Sequence, residues 1–224
     1  MTGGSGGIGR ATAERFAALG DDVLAPGRAE CDVTDEASVA AFFERTGAVD
    51  VLVNNAGMGE SAPLARTTLE SWQAHFDVNA TGAFLCTRAV VGGMRERGRG
   101  AVVTVASTAG RAGAPYTAAY TAAKHAAVGL MRAAAAELAG TGVTANAVCP
   151  TFVDTAMTER SVENIAERTG RSRDEGRAAL AAASPLGRLL EPDEVAAAVV
   201  WLTSPEAAGI SGQTLVIDGG GIQT

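Results

Sequence analysis

The stretch Thr2-Gly3-Gly4-Ser5-Gly6-Gly7-Ile8-Gly9 is the part of the sequence that most restricts the fold. It runs directly into an alanine-rich segment with helical periodicity. A glycine-rich loop that opens into a helix leaves its backbone N–H groups and the positive end of the helix dipole free to bind a pyrophosphate. An ordinary glycine-rich loop is also possible, and the glycines fit both a Gly3/Gly7/Gly9 and a Gly3/Gly6/Gly9 spacing. The loop alone therefore does not choose between subtypes of dinucleotide-binding fold.

Short apolar runs alternate with helical segments along the rest of the chain, and no linker-like stretch divides them. This pattern predicts a single domain over residues 1–224, an α/β fold with a doubly wound, parallel, Rossmann-like sheet. The predicted strands are 22–25, 50–54, 101–106, 143–148 and 214–217, and the predicted helices are 10–19, 35–45, 69–97, 117–139 and 192–202. A more polar segment at about 156–183 is predicted to form a helical lid over the binding crevice.

The composition excludes several classes of function. The 224 residues are 47% hydrophobic and carry a net charge of −7, which repels phosphate backbones and anionic lipid. No nucleic-acid or membrane partner is therefore expected, and no apolar run reaches the roughly 18 residues of a membrane helix. Cys31, Cys86 and Cys149 lack metal-site or redox-pair spacing, and reduced thiols of a cytoplasmic protein are expected. His75 and His125 are expected to be structural, so neither a metal site nor a Ser-His-Asp triad is predicted.

Three side chains predict a catalytic site. Tyr120 and Lys124 are four residues apart within the predicted helix 117–139, which places the phenol and the ammonium on one face. Such a pair also arises by chance. Ser107, however, lies 13 residues before Tyr120 and directly follows the predicted strand 101–106. Ligands gather at the carboxyl ends of parallel strands, so we expect this hydroxyl to face the crevice.

These residues and several further motifs resemble those of the short-chain dehydrogenase/reductase family, in its compact single-domain branch. The resemblance extends from Thr2 to the C-terminus. The motifs are the glycine loop, Asp32-Val33, Asn54-Asn55-Ala56-Gly57, Asn79 within Phe76-Asp-Val-Asn-Ala-Thr-Gly82, and Ser107 with Tyr120 and Lys124. The tail from Pro185-Leu-Gly-Arg188 to Asp218-Gly219-Gly220 is also similar. The Asn-Asn-Ala-Gly segment favours this branch over the larger sugar-nucleotide epimerases.

The resemblance implies hydride transfer between a nicotinamide cofactor and a carbonyl or alcohol. Tyr120 would be the general acid in reduction and the base in oxidation, and Lys124 would lower its pKa and hold the ribose hydroxyls. Ser107 would bind the substrate oxygen, and Asn79 would position a water in the proton path, although a structural amide at a helix kink is the alternative for Asn79. The implied cofactor-binding residues are Gly3, Ser5, Gly7, Ile8, Gly9, Arg28, Asp32, Val33, Asn55, Ala56, Gly57, Tyr120, Lys124, Pro150, Val153 and Thr155.

Cofactor choice depends on the end of the predicted strand 22–25. NAD-preferring folds place an acid there for the ribose 2′-OH, whereas this chain has Gly27 followed by Arg28. Arg28 would receive a 2′-phosphate, although Gly6 adds no second positive charge, and a solvated surface arginine is the other interpretation. NADP(H) is therefore favoured over NAD(H).

The expected substrate pocket is apolar and lined by Ala109, Tyr116, Phe152 and the lid. Residues 106–110 and Cys149-Pro150 are similar to those of 3-oxoacyl-thioester and polyketide ketoreductases, which favours a 3-oxoacyl thioester on an acyl carrier protein or CoA. The alternatives are an NAD-dependent secondary alcohol or 3-hydroxyacyl dehydrogenase, and an inactive relative with an eroded nucleotide half. A homo-oligomer is expected, a tetramer by resemblance, with the small residues 133–136 allowing close helix approach.

Two departures from the family concern the nucleotide half. Only Met1 precedes the glycine loop, which should follow a buried strand. Between residues 25 and 32 there is no room for the family's third strand and its helix. The sequence thus predicts a sheet without its first and third strands, and we expect the chain to be a shortened version of a longer product.

Overall fold

The computed structural model describes residues 1–223. Its strands are β1 (Val51–Asn54), β2 (Gly100–Val105), β3 (Val143–Pro150) and β4 (Thr214–Ile217). Its α-helices are α1 (Gly7–Ala18), α2 (Glu36–Thr46), α3 (Leu69–Phe76), α4 (Gly82–Arg97), α5 (Ala118–Glu137), α6 (Ala156–Thr169), α7 (Arg173–Ala182) and α8 (Pro192–Thr203). A π-helical turn, Asp77–Thr81, joins α3 to α4. In the part of the chain described here, no helix is both long and apolar enough to cross a membrane.

The four strands form one parallel sheet in the order β1-β2-β3-β4. Helices cross between successive strands, as the alternating sequence pattern predicts. The carboxyl ends of all four strands consequently meet at one edge of the sheet. The Rossmann-like α/β class is confirmed.

Helices cover both faces of the sheet because its strands alternate apolar side chains between two cores. On one face, Leu52 and Val102 pack with α2, α4 and α5. On the other, Val53 and Val103 pack with α1 and α8. A small third cluster, which includes Val162 and Leu180, holds α6 against α7 outside the sheet.

The prediction of a strand at 22–25 is wrong, because these residues belong to no strand. Residues 1–4 lie between this segment and β1. The Met1 amino group donates to the Leu24 carbonyl at 2.5 Å, and Thr2 N donates to the Val53 carbonyl at 3.0 Å. These contacts are too few for a ladder, because a strand assignment needs repeated bonds along a partner. Among the described residues, the sheet begins at β1, and residues 27–31 form a turn.

Candidate active site

The segments singled out in the sequence converge at the carboxyl edge of the sheet. Asn55 follows β1, Ser107 follows β2, the loop 151–155 follows β3, and the glycine loop of residues 2–9 packs beside Asn55. In an open parallel sheet this edge is where ligands bind.

Ser107, Tyr120 and Lys124 form one cluster. Ser107 caps the short 3-10 turn Thr108–Gly110, and its Oγ accepts a hydrogen bond from Ala109 N at 3.1 Å. Tyr120 and Lys124 share one face of α5, with Lys124 Nζ 5.7 Å from the centre of the Tyr120 ring. Lys124 Nζ donates to the Val105 carbonyl at 3.0 Å, which ties α5 to the end of β2. The structure thus brings the three predicted catalytic residues together.

Burial controls the charge of this cluster. Desolvation lowers the pKa of Lys124 to about 8, partly opposed by the nearby Cys149 thiol. Desolvation also raises the pKa of Tyr120, and its interaction with the Ser107 side chain acts in the opposite direction. At neutral pH the phenol is therefore protonated, while the ammonium of Lys124 keeps most of its charge.

Asn79 lies within the π-helical turn and is 2% exposed. Its Nδ2 donates to the carbonyls of Met58 and His75, and its Oδ1 accepts from Met58 N at 3.2 Å. The side chain amide thus fixes the loop after β1, as the structural alternative for this residue requires. Asn79 is nevertheless close to Lys124, since a Cβ added at Gly57 would lie 3.1 Å from Asn79 Oδ1 and 3.6 Å from Lys124 Nζ. Its role in a proton path stays a prediction.

The glycine loop and the segment after β1 form one cradle. Thr2 Oγ1 accepts hydrogen bonds from Asn55 N and Ala56 N, and Asn55 Nδ2 donates to the carbonyls of Thr2 and Gly3. A Cβ added at Gly9 would lie only 2.2 Å from the Gly3 carbonyl oxygen, so this close packing requires glycine. Around Gly6, by contrast, there is open space. The cradle therefore fits the pyrophosphate of a dinucleotide, since it presents the start of α1 to that space.

The loop after β3 closes the other side of the cradle. Pro150 ends β3, the Val153 side chain is buried in the core beside α1 and α8, and Thr155 precedes α6. A Cβ added at Gly7 would lie 2.9 Å from Thr155 Cγ2. The side chain of Ser5 is exposed at the loop, whereas Ile8 packs into the same core as Val153. Thr155 is thus positioned to contact a phosphate held by the glycine loop.

Arg28, Asp32 and Val33 follow Pro26, whose carbonyl accepts a hydrogen bond from Gly4 N of the glycine loop at 3.3 Å. Arg28 Nε donates to Asp32 Oδ2 at 3.0 Å, and the Arg28 side chain is 80% exposed. Hydrogen bonds from Thr34, with a smaller contribution from Arg28, lower the pKa of Asp32. Val33 packs against Gly82 of α4 and is buried. The guanidinium of Arg28 thus remains accessible to a ligand.

The structure places the predicted substrate residues on different elements around the catalytic cluster. Tyr116 borders a polar cavity beside α3 and α6, whose lining includes neither Ala109 nor Phe152. Phe152 is 38% exposed on the loop after β3, and Ala109 lies in the 3-10 turn after Ser107. Most residues around this cavity are polar, so it is not the apolar pocket expected from the sequence, and that substrate pocket stays a prediction.

The residues that pack around Tyr120 were not predicted from the sequence. His75 is 1% exposed, its ring centre is 6.3 Å from that of Tyr120, and its Nε2 accepts a hydrogen bond from Glu60 N. Its Nδ1 contacts the Ser71 carbonyl at 2.7 Å, so Nδ1 carries the proton and the ring is neutral. A Cβ added at Gly59 would lie 3.3 Å from the Tyr120 ring. The glycines that follow the Asn-Asn pair were the only available signal for this close contact.

Comparison with known proteins agrees with this geometry. Residues 3–221 match a family model described as enoyl-(acyl carrier protein) reductase, which belongs to the short-chain dehydrogenase/reductases. A Streptomyces coelicolor protein described as a ketoacyl reductase is 44% identical over 204 residues, covering 88% of this chain and 78% of the relative. The 3-oxoacyl-[acyl-carrier-protein] reductase of Vibrio cholerae is 36% identical, covering 98% of this chain and 95% of the relative.

Among solved structures, a variant of actinorhodin polyketide ketoreductase with NADPH superimposes with a TM-score of 0.90 at 37% identity, over 98% of this chain and 94% of that one. The strand ends, the glycine cradle and the Ser107–Tyr120–Lys124 cluster occur here on the fold of that enzyme. This chain belongs to the short-chain dehydrogenase/reductase family and is an NAD(P)-dependent oxidoreductase acting on CH–OH and C=O groups.

Proposed function

We propose that this protein is an NADP(H)-dependent reductase of 3-oxoacyl thioesters, in which Tyr120 is the proton donor. The observation that carries the proposal is the cluster of Ser107, Tyr120 and Lys124 at the end of β2, next to the glycine cradle. The relatives support the substrate class, because they include a protein described as a ketoacyl reductase and a 3-oxoacyl-[acyl-carrier-protein] reductase.

The reduction adds a hydride to the carbonyl carbon and a proton to its oxygen. The nicotinamide, when bound, supplies the hydride. Ser107 Oγ holds the carbonyl oxygen, and the Tyr120 hydroxyl gives its proton to that oxygen as negative charge develops there. Because burial raises the pKa of Tyr120, the phenol is protonated at neutral pH and ready to act as an acid. This state favours reduction of a ketone over oxidation of an alcohol.

Lys124 has two roles in this proposal. Its ammonium lies 5.7 Å from the Tyr120 ring centre, where it stabilises the phenolate left after proton transfer. It also holds the ribose hydroxyls of the cofactor, next to Gly57 and Asn79. Asn79 acts on the proton path through its position beside Lys124. Each of these roles is part of the proposal.

Two features favour NADP(H) over NAD(H). Gly27 stands where an acid would bind the ribose 2′-OH, and the accessible guanidinium of Arg28 offers a charged contact for a 2′-phosphate. The related actinorhodin ketoreductase was solved with NADPH. The remaining cradle contacts come from the residues predicted to bind cofactor, with Thr155 toward the pyrophosphate and Asp32-Val33 toward the adenine.

We also propose that α6 and α7 act as the lid over the substrate, within a single domain, and that the protein is a cytoplasmic homo-tetramer. The lid assignment rests on the position of these helices outside the sheet, directly after the loop 151–155. The cytoplasmic location rests on the three buried cysteines, which are all unpaired.

The decisive experiment follows nicotinamide absorbance with NADPH and NADH against acetoacetyl thioesters, simple ketones and the corresponding alcohols. We expect turnover of the thioesters with NADPH and a lower kcat/KM with NADH. Preferential NAD⁺-dependent oxidation of secondary alcohols or 3-hydroxyacyl thioesters would instead assign the protein as a dehydrogenase. Lack of any thioester reduction would reject the proposed substrate class.

A further inference from the structure

A polar cavity of about 390 Å³ lies next to the catalytic cluster. Its walls are residues 60–62 and 66–68, Ser71 and His75 of α3, residues 116, 118 and 119, and Asn164 and Arg168 of α6. His75 and Ala119 connect it to the active site, because the His75 ring packs against Tyr120 and Ala119 precedes Tyr120 on α5. We call it the arginine cavity, after Arg66 and Arg168.

The two arginines are not neutralised by the protein. Within residues 1–223, the Arg66 side chain has no ion pair and no hydrogen bond, and only its backbone N–H donates, to the Pro63 carbonyl at 2.8 Å. Arg168 Nη1 donates to the Ser61 carbonyl at 2.7 Å, and no carboxylate of the described chain lies within 4.0 Å of its guanidinium. On the neighbouring α7, in contrast, Arg173 and Arg177 are each paired with two carboxylates. Glu60 is the one acidic side chain of the lining, so the cavity carries net positive charge in a chain of net charge −7.

Tyr116 forms a wall of the cavity at a conformational cost. Its φ of 67° is in the left-handed region, which an aromatic residue rarely adopts. The Tyr116 carbonyl accepts a hydrogen bond from Ala62 N at 2.8 Å, which fixes the backbone across the cavity. The side chain is 65% exposed, so packing does not explain why a bulky residue occupies this position. Strained residues of this kind cluster at ligand sites.

We propose that the arginine cavity binds the phosphate of a phosphopantetheine arm, with Arg66 and Arg168 as the charged contacts and Tyr116 as the wall along which the arm lies. The inference rests on the proposed function, because acyl carrier protein and CoA both present their thioesters on this arm. Guanidinium groups suit phosphate because they donate paired hydrogen bonds in a fixed plane. The hydroxyls of Thr68 and Ser71 add neutral donors to the same lining, whereas Thr67 Oγ1 already donates to the Pro63 carbonyl.

The test compares two substrates that differ by one phosphate, acetoacetyl-4′-phosphopantetheine and acetoacetyl-pantetheine. For the unmodified protein we expect the phosphorylated substrate to have a kcat/KM at least about tenfold higher, through KM and not kcat. Arg66→Gln and Arg168→Gln should each reduce this preference, and the double variant should remove it without changing the kinetics of acetoacetyl-pantetheine. Arg160→Gln is the matched control, because Arg160 is also on α6 but does not line the cavity.

The inference would be overturned if the unmodified protein showed no preference for acetoacetyl-4′-phosphopantetheine over acetoacetyl-pantetheine. It would also be overturned if the double variant kept that preference. Calorimetric titration with 4′-phosphopantetheine and with pantetheine gives the same comparison without turnover. If the protein reduces neither thioester, the proposed function fails. If 4′-phosphopantetheine and pantetheine bind with equal Kd values, the cavity assignment fails, so the two failures are distinguishable. Acetoacetyl-CoA and acetoacetyl-acyl carrier protein, assayed with the same variants, then identify the carrier: the one whose KM rises in the double variant uses the cavity.

Discussion

Lys124 is the only lysine of the chain, and it is 5% exposed in an environment that disfavours its charge. Within residues 1–223 no carboxylate forms an ion pair with Lys124, and its ammonium donates a hydrogen bond to the neutral Val105 carbonyl. A buried ammonium without a carboxylate is destabilising, so a role in stability does not explain this residue. Its place between Tyr120 and Gly57 points to function instead.

The buried charge of Lys124 should make the stability of the protein depend on pH. The pKa of Lys124 is about 8 in the folded protein, below its ordinary value of 10.5, so the unfolded chain binds more protons between these pH values and stability rises with pH there. The cost of burying the charge, about 3 kcal/mol, is fully present below about pH 8. Lys124→Met loses the bond to Val105, worth about 1 kcal/mol, and should stabilise the protein by about 2 kcal/mol at neutral pH. In urea unfolding this difference should shrink to near zero by about pH 10, and a difference independent of pH would contradict the assignment.

Tyr120→Phe removes the transferable proton and keeps the ring. The ring contacts with His75, at 6.3 Å between centres, and with Lys124 should persist, so the fold and the cradle are retained. We expect kcat to fall by about 10²- to 10⁴-fold. The NADPH Kd from fluorescence titration should remain within about twofold, since the cradle residues are unchanged. If more than about a tenth of kcat is retained, Tyr120 is not the proton donor.

Arg28→Ala tests the cofactor assignment. The guanidinium is largely exposed and bound only through Nε to Asp32, so its removal should not disturb the core. We expect the KM for NADPH to rise about tenfold or more, because only NADPH has a phosphate for this contact. The KM for NADH is the internal control and should change little. If the KM values for NADPH and NADH change equally, Arg28 does not bind the 2′-phosphate and is only a solvated surface residue.

At the scale of elements, α7 of the proposed lid is linked to the loop 151–155 by the side chain of Arg177. Arg177 of α7 pairs with Asp154, in the loop after β3, and with Glu159 of α6. The loop is also held by hydrogen bonds between Asp154 N and Leu190 O, and between Leu190 N and Phe152 O. Movement of α7 is thereby coupled to the segment that contains Val153 and Thr155.

Arg177→Gln should loosen α7 selectively. The paired side chains are 36% to 41% exposed, so solvent screens them and the expected cost is about 1 kcal/mol or less. Hydrogen exchange of the α7 amides should accelerate by up to about fivefold, while amides in β2 and β3 stay unchanged. High salt should reproduce the effect in the unmodified protein. Arg160→Gln is the control, and equal acceleration in both variants would exclude a specific role for Arg177.

The elements that local pattern determines were predictable, and those that depend on distant contacts were not. The strand at 214–217 agrees with β4, and the spacing of Tyr120 and Lys124 on α5 follows from helix geometry alone. The predicted helix 69–97 is interrupted by a π-helical turn, where the Asn79 side chain binds Met58, 21 residues away. The left-handed Tyr116 is likewise fixed by Ala62, across the chain. No local sequence pattern predicts contacts of this kind between distant residues.

At the scale of the whole molecule, the sheet explains which parts of the site could be predicted. Parallel strands bring every strand end to one edge, so the motifs after β1, β2 and β3 had to meet there once the fold class was known. The arginine cavity could not be predicted in this way, because its walls come from a loop, α3, α5 and α6. The positive charge of the cavity could not be inferred from the composition either, because the whole chain has a net charge of −7.

The proposed tetramer can be tested on the outer face of α5. Ala126, Gly129, Ala133 and Ala136 are exposed and recur at spacings of three and four, so they form one smooth stripe along the helix. Of the stretch 133–136, Ala135 instead packs into the core. Small side chains let a second helix approach closely, and symmetric oligomers present the same face from each protomer.

Ala133→Arg should therefore break the assembly without unfolding the protomer, because a long charged side chain would be forced into an apolar interface. Light scattering at micromolar concentration should show a tetramer for the unmodified protein and smaller species for the variant. Ala139→Arg, just beyond α5 and also exposed, is the control that should leave the assembly intact. A monomeric unmodified protein would reject the tetramer, and an intact assembly in Ala133→Arg would place its interface elsewhere on the surface.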